Sequence, residues 1–282
     1  MDQASTLRVM AQSVEPSRPT RVIAVTSGKG GVGKTNVVAN LALALTKLHK
    51  RVLVVDADLG LANLDILLGL TPRHTIEDLF QGSKSLQDIL IEGPGGMSIL
   101  PASSGVQQLT ELSAEQKLAF LAEIDSLEEP VDVMLIDTGA GISSNVLYFA
   151  LAAQEIVVVT CPEPTAITDA YALMKVLARE HDHRKFQLLV NSAATDREAE
   201  MVFQKLNRAT QQFLEISIQF LGWIPYDVHV QKAVRQQKTV VASYPNAQAS
   251  RAFLRLAMAI CALPPITLPS GQIQFFWQRL FR

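Results

Sequence analysis

Apolar runs alternate along this chain with segments in which apolar residues recur at helical spacing. The apolar runs predict strands over residues 21–26, 51–56, 97–100, 131–136, 155–160, 186–190 and 218–224. Helical spacing predicts helices over residues 37–45, 114–127, 143–153, 166–180 and 196–213. Nearly continuous apolar strands separated by helices are typical of a mostly parallel sheet covered on both faces. We therefore predict an α/β fold that binds its ligand at the carboxyl ends of the strands.

A glycine-rich loop joins the first predicted strand to the helix that follows it. Residues 28–35 read Gly-Lys-Gly-Gly-Val-Gly-Lys-Thr, and this strand–loop–helix context is that of the phosphate-binding P-loop. Backbone amides of such a loop and the positive end of the helix bind phosphate. The pattern predicts that Lys34 reaches the β- and γ-phosphates and that the Thr35 hydroxyl binds Mg²⁺. Nucleotide contacts are predicted for Gly28, Gly30, Gly31, Val32, Gly33, Lys34, Thr35 and Asn36.

A dinucleotide site is the competing interpretation of the same loop. Gly28, Gly30 and Gly33 also satisfy the G-x-G-x-x-G pattern, and Asp56 stands about twenty residues on, where a ribose-binding acid belongs. The Lys-Thr pair at the end of the loop has no role in that pattern. The remaining acidic motifs also suit metal–phosphate chemistry better, so we favour the P-loop.

A lysine at position 29 makes this loop resemble the deviant Walker A motif of the MinD/ParA ATPases. The resemblance implies a MinD-like P-loop NTPase of the SIMIBI class that hydrolyses ATP to ADP with Mg²⁺. In that family this lysine crosses a dimer interface and contacts the partner's nucleotide, so Lys29 is implied to be catalytic alongside Lys34. Phosphoryl transfer depends mostly on positioning and charge neutralisation, which a lysine supplied by a second chain would provide. The resemblance thus also implies a homodimer with ATP.

Acidic residues follow two of the predicted strands. The resemblance implies that Asp58 polarises the attacking water and that Asp56 supports the magnesium ion. A carboxylate is a suitable acceptor for a water held in line with the γ-phosphate. Leu135-Ile136-Asp137 ends another strand as a Walker B pattern, which predicts that Asp137 holds Mg²⁺ through water.

Base recognition and partner contact are implied by weaker matches. Asn191, at the end of the sixth predicted strand, matches a family position that reads adenine with its side-chain amide. Pro225 and Asp227 match a loop that flanks the base. Asp169 resembles acids that lie at the dimer or partner surface of MinD-like proteins. Dipole complementation in the first turn of a helix is an equally good explanation of Asp169.

Composition bounds the fold and the partners. With 282 residues of which 48% are hydrophobic, the chain suits one large α/β domain, over 21–263, between two short tails. The net charge of −2 gives no overall electrostatic case for nucleic acid or anionic membrane. Cys161 and Cys261 form no C-x-x-C motif, which disfavours an iron–sulfur carrier. No apolar signal segment or membrane-length run is found, so we expect a cytoplasmic protein.

The C-terminal tail, residues 264–282, is predicted to be a linker followed by an amphipathic helix. Its apolar residues recur at helical spacing and are Ile273, Phe276, Trp277, Leu280 and Phe281. This pattern is typical of helices that lie in a membrane interface, and it resembles the membrane-targeting helix of MinD. We therefore expect a peripheral position on the inner face of the cytoplasmic membrane. A terminal helix docked on its own domain is the alternative.

The N-terminal tail, residues 1–20, carries a second element. Its residues Asp2, Gln3, Ala4, Leu7 and Arg8 match the D-Q-A-x-x-L-R element of the FlhG proteins (FleN, YlxH), the flagellar branch of the MinD family. In that branch the element activates FlhF, a signal-recognition-type GTPase, and Gln3 would orient a water in the partner's site. The branch also implies flagellar switch (C-ring) proteins and a flagellar transcription activator as partners, and a location at the cell pole.

Together these features predict an ATP-dependent dimerising ATPase that regulates the number and placement of polar flagella. A ParA-like ATPase that partitions DNA or cargo is the alternative, because it shares every core residue named above. It would need a basic surface on the dimer, and its binding to DNA would weaken steeply with salt. We expect no direct binding of nucleic acid.

Overall fold

The computed structural model describes residues 20–58, 63–102 and 130–264, together with isolated positions between 113 and 127. The predicted N-terminal element and the predicted C-terminal helix lie outside the described residues, as does most of the predicted helix over 114–127.

The described residues form one eight-stranded sheet, whose strand order is β3-β4-β2-β5-β1-β6-β7-β8. The strands are β1 (Arg21–Ser27), β2 (Val52–Ala57), β3 (Ile91–Glu92), β4 (Ser98–Leu100), β5 (Val133–Ala140), β6 (Glu155–Thr160), β7 (Phe186–Ala193) and β8 (Gln219–Pro225). Every neighbouring pair is parallel except β3 and β4. The predicted α/β fold with a mostly parallel sheet is confirmed.

Helices cover both faces of the sheet. They are α1 (Lys34–Lys47), α2 (Leu64–Leu68), α3 (Ile76–Phe80), α4 (Leu86–Ile89), α5 (Ser144–Ala152), α6 (Pro164–His181), α7 (Asp196–Leu214), α8 (Val228–Arg235), α9 (Val240–Ser243) and α10 (Gln248–Ala262). None of the helices in the described ranges has both the length and the apolar composition that crossing a membrane requires.

Side-chain alternation along the strands builds two cores, one on each face. In β1, Val22 and Ala24 belong to the core that also includes residues of α5, α6 and α7, whereas Ile23 and Val25 belong to the core that includes residues of α1 and α10. Successive side chains of a strand point to opposite faces, so a strand covered on both sides must be apolar throughout. This explains why the strands are nearly continuous apolar runs in the sequence.

The seven predicted strands are all present, with ends shifted by a few residues. The two-residue strand β3 and the helices α2, α3, α4 and α9 were not predicted, because four or five residues do not show a period. Helix α10 was also missed, although its buried Phe253, Leu256 and Ile260 have helical spacing.

The strand order places the ligand site. Strand β1 lies between β5 and β6. After β1 the chain continues to β2 on the β5 side of β1, and after β5 it crosses to β6 on the other side. In open parallel sheets a crevice forms at the carboxyl ends of the strands where the order switches in this way. The loop after β1, which holds the predicted phosphate-binding residues, therefore lies at that crevice.

Candidate nucleotide-binding site

The P-loop is a tight turn between β1 and α1. Gly31 and Gly33 adopt φ values of 82° and 87°, a conformation that side chains disfavour. Gly33 precedes α1 with no side-chain hydrogen bond to the first helical amides. Because these amides have no partner within the helix, they are available to an anion held in the loop. The loop therefore fits a phosphate chain.

The first glycine of the loop packs against a helix. A Cβ atom on Gly28 would lie 2.0 Å from the carbonyl oxygen of Asp169 and 2.7 Å from the amide nitrogen of Ala170, both in α6. Real Cβ atoms do not approach other atoms this closely, so only glycine fits here. Glycine at position 28 is thus required for the contact between the P-loop and α6, independently of any role in binding phosphate.

A buried ion pair lies beneath the loop. Lys34 Nζ is 3.4 Å from Asp137 Oδ1, and the two side chains are 9% and 1% exposed. Burial raises the pKa of Asp137, while the Lys34 ammonium and a hydrogen bond from Thr35 oppose that rise. Buried charges carry a large desolvation cost that one partner only partly offsets. The predicted residues Lys34, Thr35 and Asp137 are therefore in contact with one another.

A second carboxylate stands beside this pair. Asp56 and Asp137 are register partners on the neighbouring strands β2 and β5. The Asp56 carboxylate accepts hydrogen bonds from the amides of Asp58 (3.1 Å) and Leu64 (3.4 Å). Burial, and then the charge of Asp137, raise the pKa of Asp56 well above its ordinary value. A divalent cation would relieve this repulsion.

The donor set fits magnesium. Two carboxylates and the Thr35 hydroxyl supply hard oxygen ligands, which Mg²⁺ prefers over nitrogen or sulfur. Mg²⁺ usually keeps several waters and takes one or two carboxylates together with phosphate oxygens. When bound, it would neutralise phosphate charge, and the residues placed to hold it are Thr35, Asp56 and Asp137.

Asp58 lies against the Walker B loop. One of its carboxylate oxygens is 3.4 Å from the position that a Cβ on Gly139 would occupy. Asp58 follows β2, and Gly139 is near the carboxyl end of β5. The predicted water-activating acid is therefore placed at the same edge as Lys34 and Asp137. Its role remains a prediction.

A narrow cleft lies beside the loop on the side of β7 and β8. Asn191 Nδ2 donates to the carbonyl oxygen of Val32 at 2.8 Å. The Asn191 side-chain oxygen is not used in that bond and can accept from an adenine amino group. The cleft has a volume of about 130 Å³, and its lining includes Gly33, Asn36, Asn191, Ile224, Pro225, Tyr226, Asp227, Val230, Gln231 and Phe253.

Asp227 has a structural role within this cleft. Its carboxylate accepts from the backbone amides of His229 (2.9 Å) and Ala249 (3.1 Å), so it ties the start of α8 to α10. Burial raises the pKa of Asp227, but these hydrogen bonds and the His229 side chain together outweigh burial and hold the pKa below its usual value. Asp227 therefore shapes the predicted base site, and a direct contact with the base stays a prediction.

Lys29 is at the rim of the site. Its ammonium donates to Glu163 Oε2 and to Thr165 Oγ1, both at 2.9 Å. The hydrogen bond to Glu163 is the main cause that raises the pKa of Lys29. Asp169, the predicted partner residue, is half-buried further along the same helix, α6.

Glu163 and Thr165, the two partners of Lys29, were not predicted from the sequence. Both follow the carboxyl end of β6, which lies next to β1 in the sheet. The rule that ligands gather at the carboxyl ends of strands would have pointed to them. A wider cavity of about 530 Å³ next to the loop was also not predicted; its lining includes Gly31, Val32, Cys161, Glu163, Ser192, Glu198 and Tyr226.

Comparison with known proteins places this site in a family. A ParA family model, described as the NUBPL iron-transfer P-loop NTPase, matches residues 18–261. Antiactivator FleN of Pseudomonas aeruginosa is 47% identical over 93% of this chain and 94% of its own length. The flagellum site-determining protein YlxH of Helicobacter pylori is 33% identical over 93% of this chain and 90% of its own length. The structure of MinD from Pyrococcus horikoshii, complexed with Mg-ADP, has a TM-score of 0.72 and 27% identity, covering 89% of this chain and 100% of that one.

The chain therefore belongs to the MinD/ParA family of P-loop ATPases. Within that family it falls in the FlhG branch, to which FleN and YlxH belong. It is accordingly a MinD-like ATPase of the flagellar regulators, with ATP as nucleotide and Mg²⁺ as metal. The iron in the description of the family model is not carried over, because the two cysteines of this chain form no C-x-x-C motif.

We predict that Gly28→Ala lowers the free energy of unfolding by about 1–3 kcal/mol, the usual cost of overpacking. The added Cβ would clash with backbone atoms of α6, and backbone atoms cannot move aside by a change of rotamer as a side chain can. Urea unfolding of the chain without added nucleotide measures the change. Gly30→Ala is the matched control, because a Cβ there has no heavy atom within 4 Å. An equal effect of the two substitutions would show that Gly28 does not hold the loop to α6.

Proposed function

We propose that this chain dimerises with ATP, hydrolyses it, and in this way times its regulation of the number and placement of flagella. One observation carries the dimer. Lys29 stands at the rim of its own site, 36% exposed and bonded to α6, whereas Lys34 is buried beside Asp137. That position suits a lysine that serves the nucleotide of a second chain.

The residues divide the chemistry among them. The loop amides and Lys34 bind the phosphates, and Thr35, Asp56 and Asp137 hold the metal. Asp58 accepts a hydrogen bond from the attacking water and orients it, which is the main task of an acid in phosphoryl transfer. Lys29 of a second chain adds positive charge where the transition state is most negative. Asn191 and the cleft beside the loop, on the side of β7 and β8, select adenine.

The flagellar role rests on the relatives. FleN is named an antiactivator and YlxH a flagellum site-determining protein. We infer that this chain likewise restrains a flagellar transcription activator, and that it contacts flagellar switch (C-ring) proteins and an FlhF-type GTPase at the cell pole. The domain plan that goes with this proposal is an activator tail over 1–20, an ATPase domain over 21–263 and a membrane-targeting segment over 264–282.

Membrane binding follows dimerisation in this proposal. One short interfacial helix gains about as much as a single acyl chain, which anchors only reversibly. Two such helices on one dimer gain avidity without any new contact. ATP therefore controls the membrane through the dimer, and hydrolysis releases the chain.

We predict that Asp58→Ala lowers the rate of phosphate release by about 10²–10⁴-fold and traps a dimer with ATP. Size-exclusion chromatography with light scattering, run with ATP and with ADP, measures the mass. Asp65→Ala, which changes a nearby acid in the first turn of α2, is the control and should leave turnover unchanged. Unaltered turnover of the Asp58 variant removes its assigned role. A monomer at saturating ATP contradicts the dimer.

We predict that deletion of residues 272–282 abolishes ATP-dependent sedimentation with vesicles of anionic phospholipid. Trp277→Ser should weaken sedimentation and Gln278→Ser should not, because only the first removes apolar surface from the helix. Retained binding by the shortened chain would refute the membrane role.

Filter binding of DNA at two salt concentrations tests the ParA-like alternative, which requires binding that falls steeply with salt.

We predict that Gln3→Ala leaves the ATPase rate of the chain unchanged and reduces its stimulation of an FlhF-type GTPase. The side-chain amide is expected to orient a water in the active site of the partner, as glutamines do in other GTPases. GTP hydrolysis by the partner, with and without the added chain, measures the effect. Full stimulation by the variant would contradict this role.

A further inference from the structure

The ammonium of Lys29 is held by two groups at the start of α6. It is 2.9 Å from Glu163 Oε2 and 2.9 Å from Thr165 Oγ1. Glu163 immediately precedes α6 and Thr165 lies in its first turn, with Pro164 between them as the first helical residue. Proline at that position is pre-organised for the helix, so the two oxygens are presented by a well-defined turn.

The backbone of the loop rests on the same helix. The Cα of Gly28 packs against the Asp169–Ala170 peptide so closely that no side chain fits. The negative charges of Glu163 and Asp169 both act on Lys29 and raise its pKa. The limb Gly28–Lys29 is therefore held at three points, by one backbone contact and two side-chain bonds.

We propose that Glu163 and Thr165 form a holding site for Lys29 in the separate chain, and that its release sets how tightly two ATP-bound chains associate. This inference rests on the dimer proposed above. An ammonium has three donors, and Glu163 and Thr165 occupy two of them, so Lys29 must give up these bonds before its whole ammonium can turn to the phosphates of a second nucleotide. Glu163 and Thr165 are positioning residues, because they act only through Lys29.

The solvent exposure of the Lys29–Glu163 pair suits a site that must release the lysine. The side chains of Lys29 and Glu163 are 36% and 63% exposed. Exposed ion pairs are weak, and their usual strength corresponds to a factor of about 1.4 to 5 in an equilibrium constant. Two lysines are released in each dimer, so removal of the holding carboxylate should lower the dimer dissociation constant by about 2- to 30-fold. A buried pair would hold the lysine too firmly for such a switch.

The test compares dimer dissociation constants in the Asp58→Ala background, with saturating ATP, by sedimentation velocity over a range of protein concentrations. Glu163→Gln removes the charge and keeps the shape, and it should tighten the dimer. Glu163→Asp keeps the charge on a shorter side chain, and its dissociation constant should lie between those of the parent and of Glu163→Gln. Thr165→Val removes the second acceptor and should also tighten the dimer, whereas Thr165→Ser retains the hydroxyl and should match the parent.

Asp182→Asn is the control for a simple loss of negative charge. It removes a carboxylate from the exposed Arg184–Asp182 pair, which is 2.8 Å long and at the far end of α6. This variant should leave the dissociation constant unchanged, and an equal shift there would attribute the effect to net charge and overturn the inference.

The remaining outcomes separate this inference from the proposed function. If the parent dimerises and both Glu163→Gln and Thr165→Val associate equally well or more weakly, the holding site is refuted while the dimer stands. If the parent itself stays monomeric with ATP, the proposed function fails and the holding site fails with it. A variant that does not fold is recognised by its melting curve. The substitutions at the other of the two positions, 163 or 165, then test the holding site.

Discussion

Two carboxylates and one ammonium, buried together at the carboxyl edge of the sheet, are the interaction on which this molecule depends. Asp56 and Asp137 are brought side by side by the parallel register of β2 and β5, and Lys34 reaches Asp137 from the first turn of α1. The fold holds more negative charge there than the single lysine can neutralise. Burial raises the pKa of both acids, and the charge of Asp137 adds to the rise at Asp56. A bound divalent metal ion would supply the missing positive charge and leave Lys34 available to the phosphates.

The rest of the site is arranged around that charge imbalance. The loop glycines let the backbone amides approach an anion, and the close contact of Gly28 with α6 holds the loop over the ion pair. Asn191 fixes the other limb of the loop through its bond to the Val32 carbonyl. The loop is therefore supported from β7 on one side and from α6 on the other. Such support on rigid elements limits the reorganisation that ligand binding requires.

The placement of Lys29 separates binding from association. The buried groups can hold a nucleotide within one chain, whereas Lys29 is exposed and bound to α6. A chain built in this way can bind its ligand first and release Lys29 from α6 only when another chain offers a better partner. Regulation then needs no movement of the sheet, because the weak exposed contact is the one that changes.

The sequence by itself determined the ligand class, the sheet and most of the site. Glycine spacing, Lys34, Thr35 and the acids after two apolar strands are local patterns whose chemistry does not depend on distant contacts. Only the tertiary structure decided which groups meet. The neighbours of Lys29, the helix that excludes a side chain at Gly28 and the structural bonds of Asp227 all join segments far apart in the chain. Such contacts are set by strand order and helix packing, which no short stretch of sequence encodes.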